Sequence, residues 1–253
     1  MEINNQTIKM NPYSYSKIAS YNGCPRKFKY QYIDKIKVEQ KDTKALDRGS
    51  IIHLIFETHK DVKRLSNSKE FKRIAKRLTK TEIKECFNVY DTFMESPQGK
   101  SLFKRKQVFA ELPLGLNKDF EYTKFNRDNY MNQDVLLRGY IDAGIVDEEK
   151  DILICIDYKT GKYKEPKYQQ WGQLLYYGIG LFSKMPYDKI MLCFAYVEHN
   201  KLNTKVIYRE DIEKYKKALV DNIVNIEQES IFEKNETPLC DWCKFQDICN
   251  RDV

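Results

Sequence analysis

The 253-residue sequence has no apolar run long enough to cross a bilayer. The best candidate, "QLLYYGIGLF" at 173–182, falls far short. The opening stretch, "MEINNQTIKMNPYS", lacks a basic segment followed by an apolar one, so no secretory signal is read. A cytoplasmic location without a membrane partner is expected. No internal repeat and no low-complexity tract is found, which sets aside repeat arrays and compositionally disordered segments. Disulfides are not expected either. The seven cysteines are odd in number and uneven in placement: Cys24, Cys86, Cys155 and Cys193 are scattered, whereas Cys240, Cys243 and Cys249 crowd together. In a reducing compartment such clustering points to metal rather than to disulfides.

What is present is a globular balance: 42% hydrophobic, 32% charged and 13% aromatic residues. Lys and Arg number 44 against 37 Asp and Glu, a net +7 that permits a polyanionic partner without requiring one. Residues 14–34 read as two short helices, with Ser14 or Ser16 capping the first and Pro25 opening the second. A helix is expected over 48–62 and another over 69–95, capped by Thr79 or Thr81 and broken at Ser96-Pro97-Gln98-Gly99. The texture then turns strand-like at 107–116, 134–146 and 151–160. The turn "DEEK" makes the last two a hairpin. A helix over 165–183, strands at 189–198 and 204–209, and an amphipathic helix over 210–233 follow. The fold expected is α/β, a central mixed sheet flanked by helices.

Within "LICIDYKTGK", Asp157 and Lys159 are two residues apart on a strand and share a face, while Ile152, Ile154 and Ile156 share the other. The hairpin brings Asp142 of "GYIDAGIV" close to Asp157. Two neighbouring carboxylates repel, and a cation, a proton or a lysine must offset that. Mg²⁺ or Mn²⁺ suits such oxygen ligands, and Lys159 could hold the attacking water or neutralise charge. A plain surface hairpin with a salt bridge is the alternative.

The stretch "GYIDAGIVDEEKDILICIDYKTGK" resembles the core motif of the PD-(D/E)XK nuclease superfamily, in its RecB-like branch. The resemblance implies a restriction-endonuclease-like core in which Asp142 is the first motif aspartate and Asp157-Tyr158-Lys159 the (D/E)-x-K element. It extends to "GSIIHLIFE", whose His53 would join the metal site, and to "QLLYY", where Gln173 and Tyr177 match a Gln-x-x-x-Tyr motif. Those two share a helix face and could order DNA or the lysine, or simply form a core aromatic with a polar neighbour. Glu111 in "FAELPLG" would bind metal directly or through water, and the Tyr158 carbonyl would be a further ligand. Cys24 together with Cys240, Cys243 and Cys249 resembles the thiolate set of iron–sulfur members of this branch. A [4Fe–4S] cluster is implied, with a Cys₄ zinc site the alternative. Cys86, Cys155 and Cys193 read as small core residues.

The expectation is one nuclease domain over 1–253: a helical part (1–104), a catalytic α/β core (105–235) and a cysteine-rich tail (236–253) stapled to Cys24. The activity implied is a metal-dependent DNA exonuclease acting on single strands or ends, alone or with a protein partner. The rivals are a zinc-stapled endonuclease and a non-catalytic DNA-binding subunit. Lys27, Lys29, Lys35 and Lys37, interleaved with Tyr30 and Tyr32, are either a nucleic-acid contact or a solvated basic face.

Overall fold

Side-chain alternation along the two hairpin strands decides how the layers stack. In the computed structural model, which describes residues 12–38, 43–123, 125 and 134–249, six strands form one mixed sheet. They are β1 (Lys106–Leu116), β2 (Tyr122–Thr123), β3 (Leu137–Asp147), β4 (Ile152–Lys159), β5 (Lys189–Tyr196) and β6 (Lys201–Tyr208), in the order β2-β1-β3-β4-β5-β6. Every neighbouring pair is antiparallel except β4 and β5. A parallel pair needs a crossover, and α8 (Gly172–Lys184) supplies it.

One sheet face carries Leu153 and Cys155 of β4 and packs under α1 (Tyr15–Gly23), α8 and α9 (Ile212–Gln228) through Ile18, Leu174 and Ile223. The other carries Ile154, Ile156 and Tyr158. It packs under α3 (Lys44–Thr58) and α6 (Lys80–Glu95) through Ile52, Phe56 and Phe93. Burial on both faces explains why β4 reads as a nearly continuous apolar run. Cys86, Cys155 and Cys193 are buried, as expected of core residues.

Several boundaries differ from the sequence reading. The helix expected at 48–62 runs from Lys44 to Thr58 and ends on His59 in the left-handed region, φ 50°. A short α4 (Val62–Asn67) follows, capped by Asp61. The helix expected over 69–95 divides into α5 (Lys69–Ala75) and α6. Thr79 starts α6 with a capping box to Glu82, and Arg77 just before it turns to pair with the buried Asp47 of α3. The break at Ser96 is also a start: Ser96 caps α7 (Pro97–Phe103), with Pro97 in its first turn. Near the N-terminus, α2 (Pro25–Phe28) continues as a π-helical turn over Lys29–Ile33.

Candidate active site

β3 and β4 pair only as far as Ala143 and Ile156, although each strand continues beyond that point. The Tyr158 amide is thereby left without a ladder partner on the β3 side. The side chain of Asp142 fills the gap: its Oδ2 accepts the Tyr158 N–H at 2.7 Å. A strand residue's N–H and C=O point the same way, so the Tyr158 carbonyl opens toward the same gap. The Tyr158 ring is buried against Phe56, with centroids 4.4 Å apart.

His53 reaches this gap from α3, its Nδ1 3.3 Å from Asp142 Oδ2. A side chain at Gly49, one turn earlier, would meet Thr160 Oγ1 at 2.9 Å, so the glycine lets α3 approach the end of β4 closely enough. Glu111 arrives from β1, where Ala110 pairs with Ala143 and Leu112 with Ile141, setting Glu111 opposite Asp142. It sits at φ 46°, a left-handed conformation rare for a residue with a side chain and rarer within a strand. Ligand atoms of His53, Glu111 and Asp142 all lie within 4.8 Å of one another. Burial works against a charged His53. The hydrogen bond to Asp142 and the charges of Asp142, Asp157 and Glu111 outweigh it and hold the imidazole above its ordinary pKa.

Asp157 lies outside that triplet. It is buried, and its Oδ2 sits 2.6 Å from Lys159 Nζ. Burial, followed by repulsion from Asp142, pushes its carboxyl up to about 6 despite the lysine. Lys159 Nζ also donates to Gln173 Oε1 at 3.1 Å, and Gln173 Nε2 donates to Tyr177 OH at 3.2 Å. The i, i+4 pair on α8 therefore forms a relay that ends on the lysine. A side chain at Gly139 would come within 2.7 Å of the Tyr177 ring, so glycine there leaves the ring room against β3.

The site lies where three depressions meet. One is walled by His53, Glu57, Glu111 and Tyr140, a second by Lys27, Arg138, Gln173 and Tyr177, and a third by Lys159, Lys162, Lys164 and Gln173. Among the described residues no helix is long and apolar enough to cross a membrane.

A model of the PD-(D/E)XK nuclease superfamily matches residues 12–250. The chain belongs to that superfamily. An ATP-dependent helicase/nuclease subunit of Clostridium botulinum (strain Loch Maree / Type A3) is 27% identical over 180 residues, 65% of this chain and 14% of that protein. The like-named protein of Listeria innocua serovar 6a is 30% identical over 161 residues, 58% of this chain and 12% of that protein. The chain thus spans about one-seventh of the length of these curated relatives. The crystal structure of SSO0001 aligns over 97% of this chain and 89% of its own, with 16% identity and a TM-score of 0.40.

The four tail-associated cysteines fare differently from the carboxylates. Cys24, Cys240, Cys243 and Cys249 all line one pocket between α1 and the tail. No three of these sulfurs come within 4.8 Å of one another, the spacing a single ion requires, and the expected iron–sulfur staple is not shown. The sulfurs of Cys24 and Cys240 are instead engaged locally. Cys24 Sγ caps α2, accepting from the N–H of Lys27 and of Asn235 at 3.5 Å each, and Cys240 Sγ accepts from the N–H of Thr237. Hydrogen bonds hold the segment before the tail to α1 and α2: Arg26 Nε donates to Phe232 O at 2.8 Å and Asn235 Nδ2 to Gly23 O at 3.0 Å.

The basic stretch expected to contact nucleic acid also divides. Lys27 and Tyr32 line the depression beside Gln173. Lys29 is paired with Asp34 at 2.8 Å, and Tyr30 packs on Phe245. Sequence reasoning passed over Gly49, Gly139 and Tyr15; the only signal for the glycines was their place beside motif residues.

Proposed function

We propose that this chain is a divalent-metal-dependent deoxyribonuclease that works as an exonuclease on single-stranded DNA or DNA ends. The observation that carries the reading is the convergence of His53, Glu111 and Asp142 beside an ion-paired Asp157–Lys159, in a chain of the PD-(D/E)XK superfamily. One imidazole and two carboxylates, with Asp157 and the Tyr158 carbonyl adjacent, are a donor set suited to Mg²⁺ or Mn²⁺. Such an ion would supply Lewis acidity at the phosphate and a more acidic bound water.

The chain's own residues do the rest. Lys159, held by Gln173, is positioned to orient a water for in-line attack and to offset charge as the phosphodiester is cleaved. Burial raises the Tyr177 phenol above its ordinary value, so it stays neutral and keeps Gln173 aligned. Products with 5′-phosphates follow from attack on the family pattern. The relatives are named as subunits of an ATP-dependent helicase/nuclease, which supports a processing role alongside a partner protein.

The cysteine pocket supports a [4Fe–4S] cluster, or zinc, on the same reading. Four thiols face one cavity, and two of them already accept backbone N–H bonds of the kind that tune cluster sulfurs.

The test is a fluorescent single-stranded oligonucleotide incubated with Mn²⁺, alongside linear and closed circular DNA. Degradation of the linear substrates by the wild type, loss of it in Lys159→Ala and sparing of the circle are expected. No cleavage by either protein across metals and salt would overturn the catalytic reading in favour of a DNA-binding role.

A further inference from the structure

Two of the depressions at the site share a wall. One, of about 800 Å³, holds Lys27 and Arg138; the other, of about 340 Å³, holds Lys162 and Lys164. Tyr15 and Gln173 line both. Gln173 is the residue that holds Lys159, so the Tyr15 ring stands at the junction next to the amine that addresses the phosphate. Cations lie on both sides of it.

Tyr15 is fixed there rather than draped. The backbone just before it is bonded on both sides to the start of β3: Tyr13 N–H donates to Leu136 O at 2.7 Å, and Arg138 N–H donates to Tyr13 O at 2.8 Å. Tyr13 itself is fully buried, with its hydroxyl on Glu227 of α9. The Tyr15 ring then rests on the bare α-carbon of Gly172, the first residue of α8. A side chain at that position would come within 2.7 Å of the ring and displace it. The phenol remains half-buried, which leaves part of the ring open to the groove.

We infer that Tyr15 is a base-stacking platform, on which a base of single-stranded DNA beside the scissile phosphate rests while cations on either side bind the flanking phosphates. An aromatic ring held rigidly between two cationic depressions matches a single strand, whose bases offer free faces; a paired duplex does not offer them. Holding the ring in place beforehand reduces the ordering cost of binding. The inference rests on the nuclease reading for the position of the scissile phosphate.

The test is fluorescence anisotropy of the full chain in EDTA, where cleavage is silent. The probes are oligothymidylate of about 15 nucleotides and an abasic sugar-phosphate strand of the same length. Wild type is expected to bind oligothymidylate about ten-fold more tightly than the abasic strand, in line with one stacked base. Tyr15→Ala should lose that difference while keeping its affinity for the abasic strand. Gly172→Ala, which keeps the ring but moves it, should behave similarly, and Tyr15→Phe should match wild type. If Tyr15→Ala retains the preference, or weakens both strands equally, the platform is refuted while DNA binding stands. If wild type binds neither strand, the platform is refuted, and the nuclease reading is decided separately by the cleavage assay with Mn²⁺.

Discussion

Asp142 Oδ2 accepts the Tyr158 N–H at 2.7 Å and in the same position faces His53 and Glu111. One carboxylate thus completes the backbone bonding of a parted strand and supplies a ligand. The two roles separate by substitution. Asp142→Ala should cost about 1–3 kcal/mol of stability, because a buried amide loses its acceptor. Asp142→Asn keeps an acceptor and should cost less, yet lower cleavage by roughly a hundred-fold or more through the lost charge. Urea denaturation and oligonucleotide turnover on the same preparations check both.

In the metal-free protein the contribution of Asp157 and His53 to stability should fall as pH rises, whereas Asp47 and Asp147, ion-paired and with lowered carboxyl pKa, act in the opposite sense at the acid end. Asp157 holds its proton up to about pH 6 when folded, whereas the unfolded chain releases it near the ordinary carboxylate value, so its contribution falls across that interval. His53 is raised in the fold, so its contribution is complete below the unfolded imidazole value and is lost as pH climbs through the higher folded one. Both groups act in the same direction. Calorimetry in EDTA should show the Tm of wild type falling relative to that of Asp157→Asn as pH rises, with the variant at least as stable as wild type at pH 8. Added Mn²⁺ should raise Tm more at pH 8 than at pH 6, since it competes with protons for these ligands.

Gly139→Ala should impair turnover more than stability. The new methyl pushes the Tyr177 ring, and the displacement passes through Gln173 to Lys159. A drop in kcat of about ten-fold with KM little changed is expected, given the cost of small misplacements. Tyr177→Phe, which retains the ring and removes the hydroxyl, should fall in the same direction, and a KM loss without a kcat loss would contradict the relay.

Glu111 stores backbone strain. Glu111→Gly should be more stable than Glu111→Ala by about 1 kcal/mol, because glycine tolerates φ 46° and alanine does not. Both should lose metal affinity equally, measurable by Mn²⁺ titration.

The cysteine pocket predicts colour. Anaerobically purified protein should absorb broadly at the blue end of the visible range and carry iron and sulfide, and Cys24→Ser should bleach it. Zinc alone, with no such absorption, would assign the pocket to the other metal. Because hydrogen bonds from Arg26 and Asn235 already hold the segment leading into the tail, the bleached variant should keep a cooperative unfolding transition.

Asp157 and Lys159 could be placed on one face from strand alternation, and Asp142 beside them from the hairpin, whereas Gln173 and Tyr177 entered through the resemblance and their spacing of four only put them on one helix face. Two residues apart on a strand, or four on a helix, share a face wherever the element lies. The split of 69–95 was not legible, since apolar periodicity runs on through a break made by Arg77 reaching Asp47 across the fold. Gly139 and Tyr15 were hidden for a related reason. Their importance lies in what a distant element brings against them, and spacing carries no trace of that. The four thiols line one pocket, but the distance between their sulfurs is a property of packing that sequence does not encode.

The connection from Lys159 to Gln173 leaves β4 and returns as α8, with both ends clamped by the chemistry they serve. Between them Lys164 and Gln169 are tied back to Asn203, while Lys162, Lys164 and Gln170 line the third depression. Substitutions at Lys162, Lys164 or Gln170 would therefore change the charge of that wall and leave the bond between Lys159 and Gln173 in place.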